Sequence, residues 1–140
     1  MKFSESIKNV VLRNFATFAG RASRSEYWWF QLTYYPLVLL YALVFTPFSV
    51  FIESAQWGAL HGLILSLIAF CTLAMMATII PLVALQVRRF HDCNLSGGWL
   101  VALFMAGNIP YVGYLCLGAV LVISCLKGTD GLNKFGTEPA

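Results

Sequence analysis

Three long stretches without a charged residue constrain this chain more than any other feature of its sequence. They cover residues 27–52, 54–87 and 97–126 of a 140-residue chain. Only 11% of all residues are charged, whereas a typical soluble domain has about 25%. A membrane-spanning helix needs about 20 mostly apolar residues, and each stretch exceeds that length. The sequence therefore predicts an integral membrane protein.

The predicted fold is an all-α membrane protein that forms one small polytopic domain over residues 1–140. An N-terminal amphipathic helix lies at the membrane interface, and three transmembrane helices follow it. In chain order, the interfacial helix and turn, the three membrane helices and the tail occupy residues 1–22, 24–52, 55–90, 97–126 and 127–140.

The third membrane segment is interrupted near its middle by Asn108 and Pro110. A proline inside a helix lacks a hydrogen-bond donor and frees a carbonyl, which bends the helix or ends it. We predict one kinked helix over 97–126, and the alternative is a re-entrant segment broken at Asn108–Pro110. The kinked helix puts the C-terminus outside, whereas the re-entrant segment returns it to the cytoplasm.

The distribution of lysine and arginine predicts the orientation of the chain. Five of its nine cations lie in residues 1–26, and Arg88 and Arg89 lie between the second and third stretches. The link between the first and second stretches carries none. Because cytoplasmic ends of membrane helices are rich in lysine and arginine, the N-terminus and the 88–98 loop are predicted to face the cytoplasm. Trp57 is then expected at the outer interface.

An amphipathic pattern runs through the N-terminal segment. Its apolar residues recur at steps of four, four, four and three, which is the spacing of one helical face. These residues are Phe3, Ile7, Val11, Phe15 and Phe18. Lys2, Lys8 and Arg13 stay off that face, so the segment is predicted to lie in the headgroup plane with its cations near anionic lipid. The alternative is that the same face packs on the protein's own helices.

Two serines mark predicted helix starts. Ser23 and Glu26 have the S-x-x-E spacing of a capping box, which predicts that the first membrane helix begins near Arg24. Ser96 is predicted to cap the third membrane helix. Trp99 then anchors that helix at the inner interface.

Small residues recur four positions apart in two of the membrane segments. Gly58 and Gly62 form a G-x-x-x-G pair, and Ala102 and Ala106 form a similar pair. Small residues let helix backbones approach closely. These pairs predict helix-packing faces and leave open whether the partner helix belongs to the same chain or to another.

Charged residues gather at the predicted cytoplasmic ends of the first two membrane helices. On a helix that continues past Val87, Asp92 follows Arg88 by four residues and Arg89 by three, which places the side chains next to one another. Arg24 and Glu26 lie at the same predicted depth. Charge at a membrane boundary is costly unless it is paired or hydrated, so the sequence predicts a charged network there.

Three motifs resemble those of the bacterial domain-of-unknown-function family 805, which consists of small inner-membrane proteins. They are FAGRASRSEYWWF at 18–30, RRFHDCNLSGGW at 88–99 and GLNKFGTEP at 131–139. The positions that match the family pattern are Gly20, Arg21, Arg24, Tyr27 and Trp28, then Arg88, Arg89, His91, Asp92, Ser96 and Trp99, and finally the tail motif Asn133, Phe135, Gly136 and Pro139.

The chain also departs from the family pattern. Leu95 stands where a basic residue often precedes the serine, and Lys134 replaces the usual arginine. The missing cation at Leu95 weakens a phosphate-binding interpretation of the second motif. The resemblance implies a bacterial inner-membrane location, and it supplies no activity.

The sequence favours a non-enzymatic multi-pass membrane protein. A charged collar at the cytoplasmic face is predicted to organise the helices and to contact anionic lipid headgroups or a partner protein, which is a second copy or another membrane protein. The predicted collar consists of Arg21, Arg24, Glu26, Arg88, Arg89, His91, Asp92, Ser96 and Trp99. No metal, cofactor or nucleic-acid partner is predicted.

Two other functions remain as alternatives. Asn108 and His61 are polar residues within the predicted spans, which is a feature of small oligomeric transporter or channel subunits. A membrane enzyme would use His91 as a base, because histidine titrates near neutral pH. Adjacent residues on a helix point about 100° apart, however, so Asp92 is poorly placed to orient His91.

Overall fold

The regular elements in the part of the chain that the structure describes are all helices. The computed structural model describes the backbone of residues 2–53 and 58–139, and the side chains of residues 2–45 and 62–139. The helices are α1 (Phe3–Lys8), α2 (Arg24–Glu53), α3 (Gly58–Ala77), α4 (Ile79–Asp92), α5 (Gly98–Ala106) and α6 (Val112–Cys125), with a π-helical turn at Asn9–Arg13. No β-strand forms within these residues, which confirms the all-α prediction for them.

The chain forms two compact units. One consists of Met1–Phe30 with Pro81–Ala140, and the other of Gln31–Ile80. The first unit contains all the charged residues of the predicted collar. Trp57 lies outside the described residues, and so do the side-chain surroundings of Gly58 and His61.

Two segments are long and apolar enough to cross a membrane. They are Arg24–Phe45 and Gly62–Asp92, whereas α6 is a shorter apolar helix. Large apolar side chains such as Leu63, Phe70 and Leu73 lie mostly exposed along the second segment. A soluble protein rarely exposes so continuous an apolar surface, which is the expected pattern for helices that face lipid.

The second of these segments consists of two helices that meet at Thr78. The α3 helix ends at Ala77 and α4 begins at Ile79, and the Thr78 amide donates to the Met75 carbonyl at 3.1 Å. Pro81 supplies the physical reason, because its ring crowds the carbonyl four residues earlier and it has no amide hydrogen to donate.

The start of α2 has the Ser23 half of the predicted capping box, whereas Oε1 of Glu26 accepts from Asn9 and Arg88. The α2 helix begins at Arg24, and the Ser23 hydroxyl accepts a hydrogen bond from the Glu26 amide at 3.2 Å. This bond satisfies one of the amides that a helix N-terminus leaves unpaired. The predicted helix start is confirmed.

The start of α5 differs from the prediction. Gly97 occupies the N-cap position and no side chain caps the helix, whereas the exposed Ser96 contributes only its carbonyl, which accepts from the Trp99 amide at 3.1 Å. A Cβ atom on Gly97 would lie 2.9 Å from Cγ1 of Val87. The close approach of α4 therefore places a glycine, and not the predicted Ser96, at the cap.

The N-terminal segment turns a different face inward from the apolar face predicted by its periodicity. Ser6 and Val10 are fully buried, while Phe3, Val11 and Phe18 are 38–46% exposed. A hydrogen bond holds the buried face against α2, because the Ser6 hydroxyl donates to the carbonyl of Glu26 at 2.7 Å. The predicted apolar face is therefore left on the surface of the protein.

The segment predicted as one kinked membrane helix is two helices. Residues 107–111 between α5 and α6 are non-helical, and Tyr111 has a positive φ of 66°. A Cβ atom on Gly113 would lie 2.6 Å from the carbonyl oxygen of Gly107, so only glycine permits this tight turn. The α5 and α6 helices pack against each other.

The end of α6 returns to the end of α4. Arg89 of α4 donates through Nε to the Ser124 carbonyl at 3.2 Å, and Cys93 donates to the Ile123 carbonyl at 3.5 Å. The α5 helix starts five residues after Cys93. The two helices therefore form a hairpin whose open end lies beside the C-terminal end of α4.

The predicted helix-packing pairs differ in their surroundings. A Cβ atom on Gly62 would meet no atom within 4 Å, so no described residue packs closely there. In α5, Ala106 is half-buried and Ala102 is exposed. The packing role of these pairs stays a prediction.

A buried ion cluster as the candidate functional site

Five charged side chains lie buried together in the unit formed by the chain's two ends. They form what we call the ion cluster: Arg21, Glu26, Arg88, Arg89 and Asp92. Each is exposed by 8% or less, and Arg89 is fully buried. Charges are buried at this depth only where partners offset the loss of water, so the pairing within the cluster determines what it can do.

Asp92 is the centre of the ion cluster. Its Oδ1 atom accepts from Nε of Arg21 at 2.9 Å and lies 2.8 Å from Nη2 of the same residue, while its Oδ2 atom pairs with Arg89. Two donors from one guanidinium make a directional contact that is stronger than a neutral hydrogen bond. A Cβ atom on Gly128 would lie 2.0 Å from Asp92 Oδ2, so the carboxylate packs directly against the backbone of the tail.

Glu26 and Arg88 form the second ion pair. Oε1 of Glu26 lies 3.2 Å from Nη1 of Arg88 and accepts a further bond from Asn9 Nδ2 at 2.8 Å. Nε and Nη2 of Arg88 are buried and have no partner among the described residues. Arg88 is therefore less completely paired than the other two arginines, and the three arginines exceed the two carboxylates by one positive charge.

Arg89 connects α4 to two other segments of backbone. Besides Ser124, it donates to the carbonyl of Ala22 at 3.3 Å and to the carbonyl of Leu126. The last carbonyls of a helix lack partners within the helix, and a cation there is favourable. Arg89 thus stabilises the C-terminal end of α6 and ties it to the segment before α2.

Arg21 binds the backbone of the C-terminal tail. Its guanidinium donates to the carbonyls of Thr129, Gly131 and Gly136, in addition to its pair with Asp92. The Thr129 amide donates in turn to the Asp92 carbonyl at 2.9 Å. The tail is therefore folded onto the end of α4, and residues separated by more than a hundred positions meet there.

His91 is enclosed by backbone and by the tail. Its Nδ1 lies 3.1 Å from the carbonyl of Gly20, and its ring stacks on Phe135 with the centroids 3.9 Å apart. Asn133 donates from Nδ2 to the His91 carbonyl at 2.9 Å. Three other residues of the predicted motifs thus contact His91, and these contacts pack the tail against the end of α4.

Arg24 does not join the ion pairs in which the sequence predicted it. It is exposed at the start of α2, and Arg21 takes its place beside Asp92. The reason is the extended segment before α2, because the Ala22 amide donates to the carbonyl of Arg88 at 3.1 Å and so directs Arg21 toward α4. Ser96 and Trp99 of the predicted collar are exposed and lie outside the ion cluster.

Arg24 lines a cleft of about 130 Å³ beside the ion cluster. Lys127 lines it too, and its Nζ lies 2.8 Å from Oδ1 of Asp130. The hydrogen bond and the charge of Asp130 raise the pKa of Lys127, and the nearby Arg24 lowers it in part. Pro139 of the tail motif closes one side of the cleft.

Cys93 lies at the edge of the ion cluster. Burial raises the pKa of its thiol, and the positive charge of Arg89 opposes this only in part. The thiol therefore stays protonated at neutral pH, which is unfavourable for nucleophilic chemistry. Within residues 2–45 and 62–139, no group of three or more histidine, cysteine or acidic side chains is arranged to hold a metal ion.

Sequence reasoning missed several polar contacts that support the ion cluster, and Gln86 makes one of them. Gln86 is buried in α4 and donates from Nε2 to the hydroxyl of Ser124 at 3.0 Å. A signal was present, because Gln86 precedes Arg89 by three residues and so shares its helical face. The sequence did not indicate Ser124 as the partner, because Ser124 becomes a neighbour of Gln86 only when the end of α6 lies beside α4.

These observations define a helical membrane protein with transmembrane segments and a buried ion cluster that joins its chain ends. The chain belongs to the family described as Protein of unknown function (DUF805), whose model matches residues 15–137. The resemblance inferred from the three motifs is confirmed.

The chain is also similar to two curated proteins that are named as inner membrane proteins. The chain is 36% identical over 134 residues to inner membrane protein YhaI of Escherichia coli (strain K12), and this match covers 92% of this chain and 91% of YhaI. It is 32% identical over 129 residues to inner membrane protein YhaH of the same organism, with 92% of each chain covered. No solved structure matches the chain.

Proposed function

We propose that this chain is a non-enzymatic multi-pass inner-membrane protein whose ion cluster organises the cytoplasmic ends of its helices. The N-terminal segment contacts anionic lipid headgroups. The observation that carries the proposal is that Arg21 and Arg89 both pair with Asp92. Their other donors bond to backbone carbonyls in the segment before α2, at the end of α6 and in the tail. Guanidinium groups engaged in this way have few donors left for a substrate.

The lipid contact is supported by the groups that remain exposed. Lys2, Lys8 and Arg13 lie on the surface of the same segment that exposes Phe3 and Phe18. A segment with cations beside exposed apolar side chains is suited to the headgroup boundary, where both have favourable surroundings.

Aromatic residues at the start of α2 continue this surface. The ring of Phe3 packs edge-on against Trp29 with the centroids 5.6 Å apart, and Trp28 is also exposed. Tryptophan is enriched where membrane helices enter the headgroup region. This arrangement supports a membrane boundary at the beginning of α2, next to the exposed Arg24.

The hairpin of α5 and α6 supports the re-entrant alternative, in which the C-terminus lies in the cytoplasm with the N-terminus. The nine residues of α5 and the 14 residues of α6 extend about 14 Å and about 21 Å at 1.5 Å per residue. Both are shorter than the roughly 30 Å hydrocarbon core. In this topology α2 and the α3–α4 segment cross the membrane and the hairpin enters and returns.

The competing functions find less support in the geometry. A catalytic role for His91 needs a side chain that a substrate can reach, yet His91 is only 9% exposed, its Nδ1 lies 3.1 Å from the carbonyl of Gly20 and its ring is stacked on Phe135. In the transporter alternative Asn108 would face a path, but its Nδ2 donates to the carbonyl of Phe104 in the preceding helix α5 at 2.8 Å.

Thermal unfolding in lipid nanodiscs tests the proposal. The wild type is compared in zwitterionic lipid and in the same lipid with phosphatidylglycerol added. We expect anionic lipid to raise the unfolding temperature, and the triple variant Lys2→Gln, Lys8→Gln, Arg13→Gln to lose most of that gain. Lys134→Gln, a change at an exposed tail residue, is the matched control. An equal response of the triple variant and the wild type to anionic lipid would refute the lipid contact.

A further inference from the structure

The cleft beside the ion cluster carries more cations than carboxylates on its walls. Its volume is about 130 Å³, and all the residues that line it belong to the unit formed by Met1–Phe30 and Pro81–Ala140. Because one water molecule occupies about 30 Å³ in the liquid, the cleft has room for several waters or for one small polar group. The charges on its walls decide which group it suits.

Five charged side chains line the cleft, and three of them are positive. Both carboxylates already accept from donors within the protein. Asp92 is paired with two arginines of the ion cluster, and Oε2 of Glu138 accepts from the amide of Gly131 at 3.0 Å. Arg24, in contrast, is exposed and forms no ion pair among the described residues. Its guanidinium therefore keeps its donors for a group in the cleft.

The second cation with capacity to bind is Lys127. Its ammonium contacts Asp130, with Nζ 2.8 Å from Oδ1 and 3.0 Å from Oδ2, and its side chain is still 68% exposed. The hydrogen bond and charge of Asp130 raise the pKa of Lys127, whereas the charge of Arg24 lowers it. Arg24 and Lys127 are thus close enough to repel each other, and an anion that contacts both would offset this repulsion.

We propose that this cleft binds a phosphate group through Arg24 and Lys127. A guanidinium donates two parallel hydrogen bonds to a phosphate, and a lysine ammonium binds a phosphate as a point charge. The oxygens of a phosphate point in several directions, so one phosphate can accept from the first residue of α2 and from the tail together. A metal cation does not suit the cleft, because its cations outnumber its carboxylates and both carboxylates already accept from other groups.

Two sources can supply this phosphate, a lipid headgroup and free phosphate in solution. The headgroup source rests on the proposed membrane boundary at the start of α2, where Trp28 and Trp29 are exposed next to Arg24. The free source does not depend on that boundary. None of the N-terminal cations Lys2, Lys8 and Arg13 lines the cleft, so this site and the lipid contact of the N-terminal segment can fail separately.

Two binding measurements in a non-ionic detergent that contains no phosphate test the site. Isothermal titration calorimetry with inorganic phosphate, against chloride at equal ionic strength, measures the free source. Native mass spectrometry with added phosphatidylglycerol measures the headgroup source. We expect Arg24→Gln and Lys127→Gln each to weaken binding about tenfold, because each removes a charge-assisted hydrogen bond. Lys134→Gln is the matched control, since it removes one exposed tail cation that does not line the cleft.

The outcomes separate the two sources and the possible failures. Binding of inorganic phosphate alone identifies the free source, and binding of phosphatidylglycerol alone identifies the headgroup; each supports the cleft if Arg24→Gln and Lys127→Gln weaken it. Equal binding by these variants and Lys134→Gln overturns the proposal, as does a wild type that binds neither probe. The triple variant Lys2→Gln, Lys8→Gln, Arg13→Gln keeps both cleft cations and should bind inorganic phosphate like the wild type. A tenfold loss in that variant would also overturn the cleft as the site.

A further measurement needs no substitution. The exposed amine of Lys127 reacts with an N-hydroxysuccinimide ester of acetic acid, and mass spectrometry of peptides gives the rate at each lysine. We expect the probe that binds to slow acylation of Lys127 severalfold and to leave Lys134 unchanged. An unchanged rate at Lys127 with the probe bound, or equal slowing at both lysines, would overturn the proposed site.

Discussion

The guanidinium of Arg21 reaches Asp92 across 71 positions of sequence, with Nη2 and Oδ1 only 2.8 Å apart. Arg21 precedes the first long helix, and Asp92 ends α4. The same arginine holds the carbonyls of the tail. This pair therefore joins the beginning, the middle and the end of the chain, and the stability of the unit that contains them depends on it.

Removal of the Asp92 charge is expected to destabilise the fold strongly. Asp92→Asn leaves Arg21 and Arg89 buried without a counterion, which typically costs about 3–5 kcal/mol. Urea unfolding of the purified protein in detergent micelles measures the change. Asp130→Asn is the control, because the Lys127–Asp130 pair is exposed and should contribute little. A loss no larger than that of the control would contradict the central role of Asp92.

The Glu26–Arg88 pair is expected to show non-additive mutational effects. Glu26→Gln leaves the buried Arg88 without its carboxylate, and we expect a loss of about 3–5 kcal/mol in the free energy of unfolding. Removing the arginine as well, with Arg88→Met, should recover much of that loss, since the unpaired charge is gone. A double-mutant cycle by chemical unfolding measures the coupling. Simple additivity of the two single effects would count against this ion pair.

Gly128 is expected to tolerate no side chain. The Cβ of Gly128→Ala would lie 2.0 Å from the Asp92 carboxylate, and overpacking of this kind costs about 1–3 kcal/mol. Thermal unfolding followed by circular dichroism measures the effect. Gly62→Ala provides the control, because a Cβ there meets no atom of the described residues within 4 Å. Equal unfolding temperatures for the two variants would show that the tail does not pack on Asp92.

Asn133 is expected to hold the tail in place. Asn133→Ala removes the bonds from Nδ2 to the His91 carbonyl and to the Thr129 hydroxyl, which are 2.9 Å and 2.8 Å long. The tail amides should then exchange with solvent faster, while those of α4 change little. Hydrogen-exchange mass spectrometry in nanodiscs measures this, with the exposed Lys134→Ala as the control. Unchanged exchange in the tail would contradict the proposed anchoring.

Cys93 is expected to make the fold less stable at alkaline pH. Burial raises the pKa of its thiol above the ordinary value of 9.0. The folded state therefore keeps its proton when the unfolded state has lost it, and stability falls as pH rises through 9.0 toward the folded pKa. The slope of unfolding free energy against pH should be shallower in Cys93→Ala than in the wild type. Identical slopes would show that Cys93 does not contribute.

The sequence by itself determined the features that depend on composition and on neighbours along one helix. Charge-free stretches of more than 20 residues leave a membrane as the favourable environment for these helices. The Ser23 cap and the pairing of Arg89 with Asp92 were also predictable, because both act within one or two helical turns. The three family motifs were recognisable for the same reason, since each is a short local pattern.

Only the tertiary structure decided which distant groups meet. Arg21 and not Arg24 reaches Asp92, because the hydrogen bond between Ala22 and Arg88 sets the direction of the extended segment before α2. The predicted third membrane helix divides at residues 107–111 because Gly113 allows the backbone to turn back on Gly107. That return brings the carbonyls of α6 and the tail to α4. Contacts of this kind depend on chain direction over many residues, which local spacing does not encode.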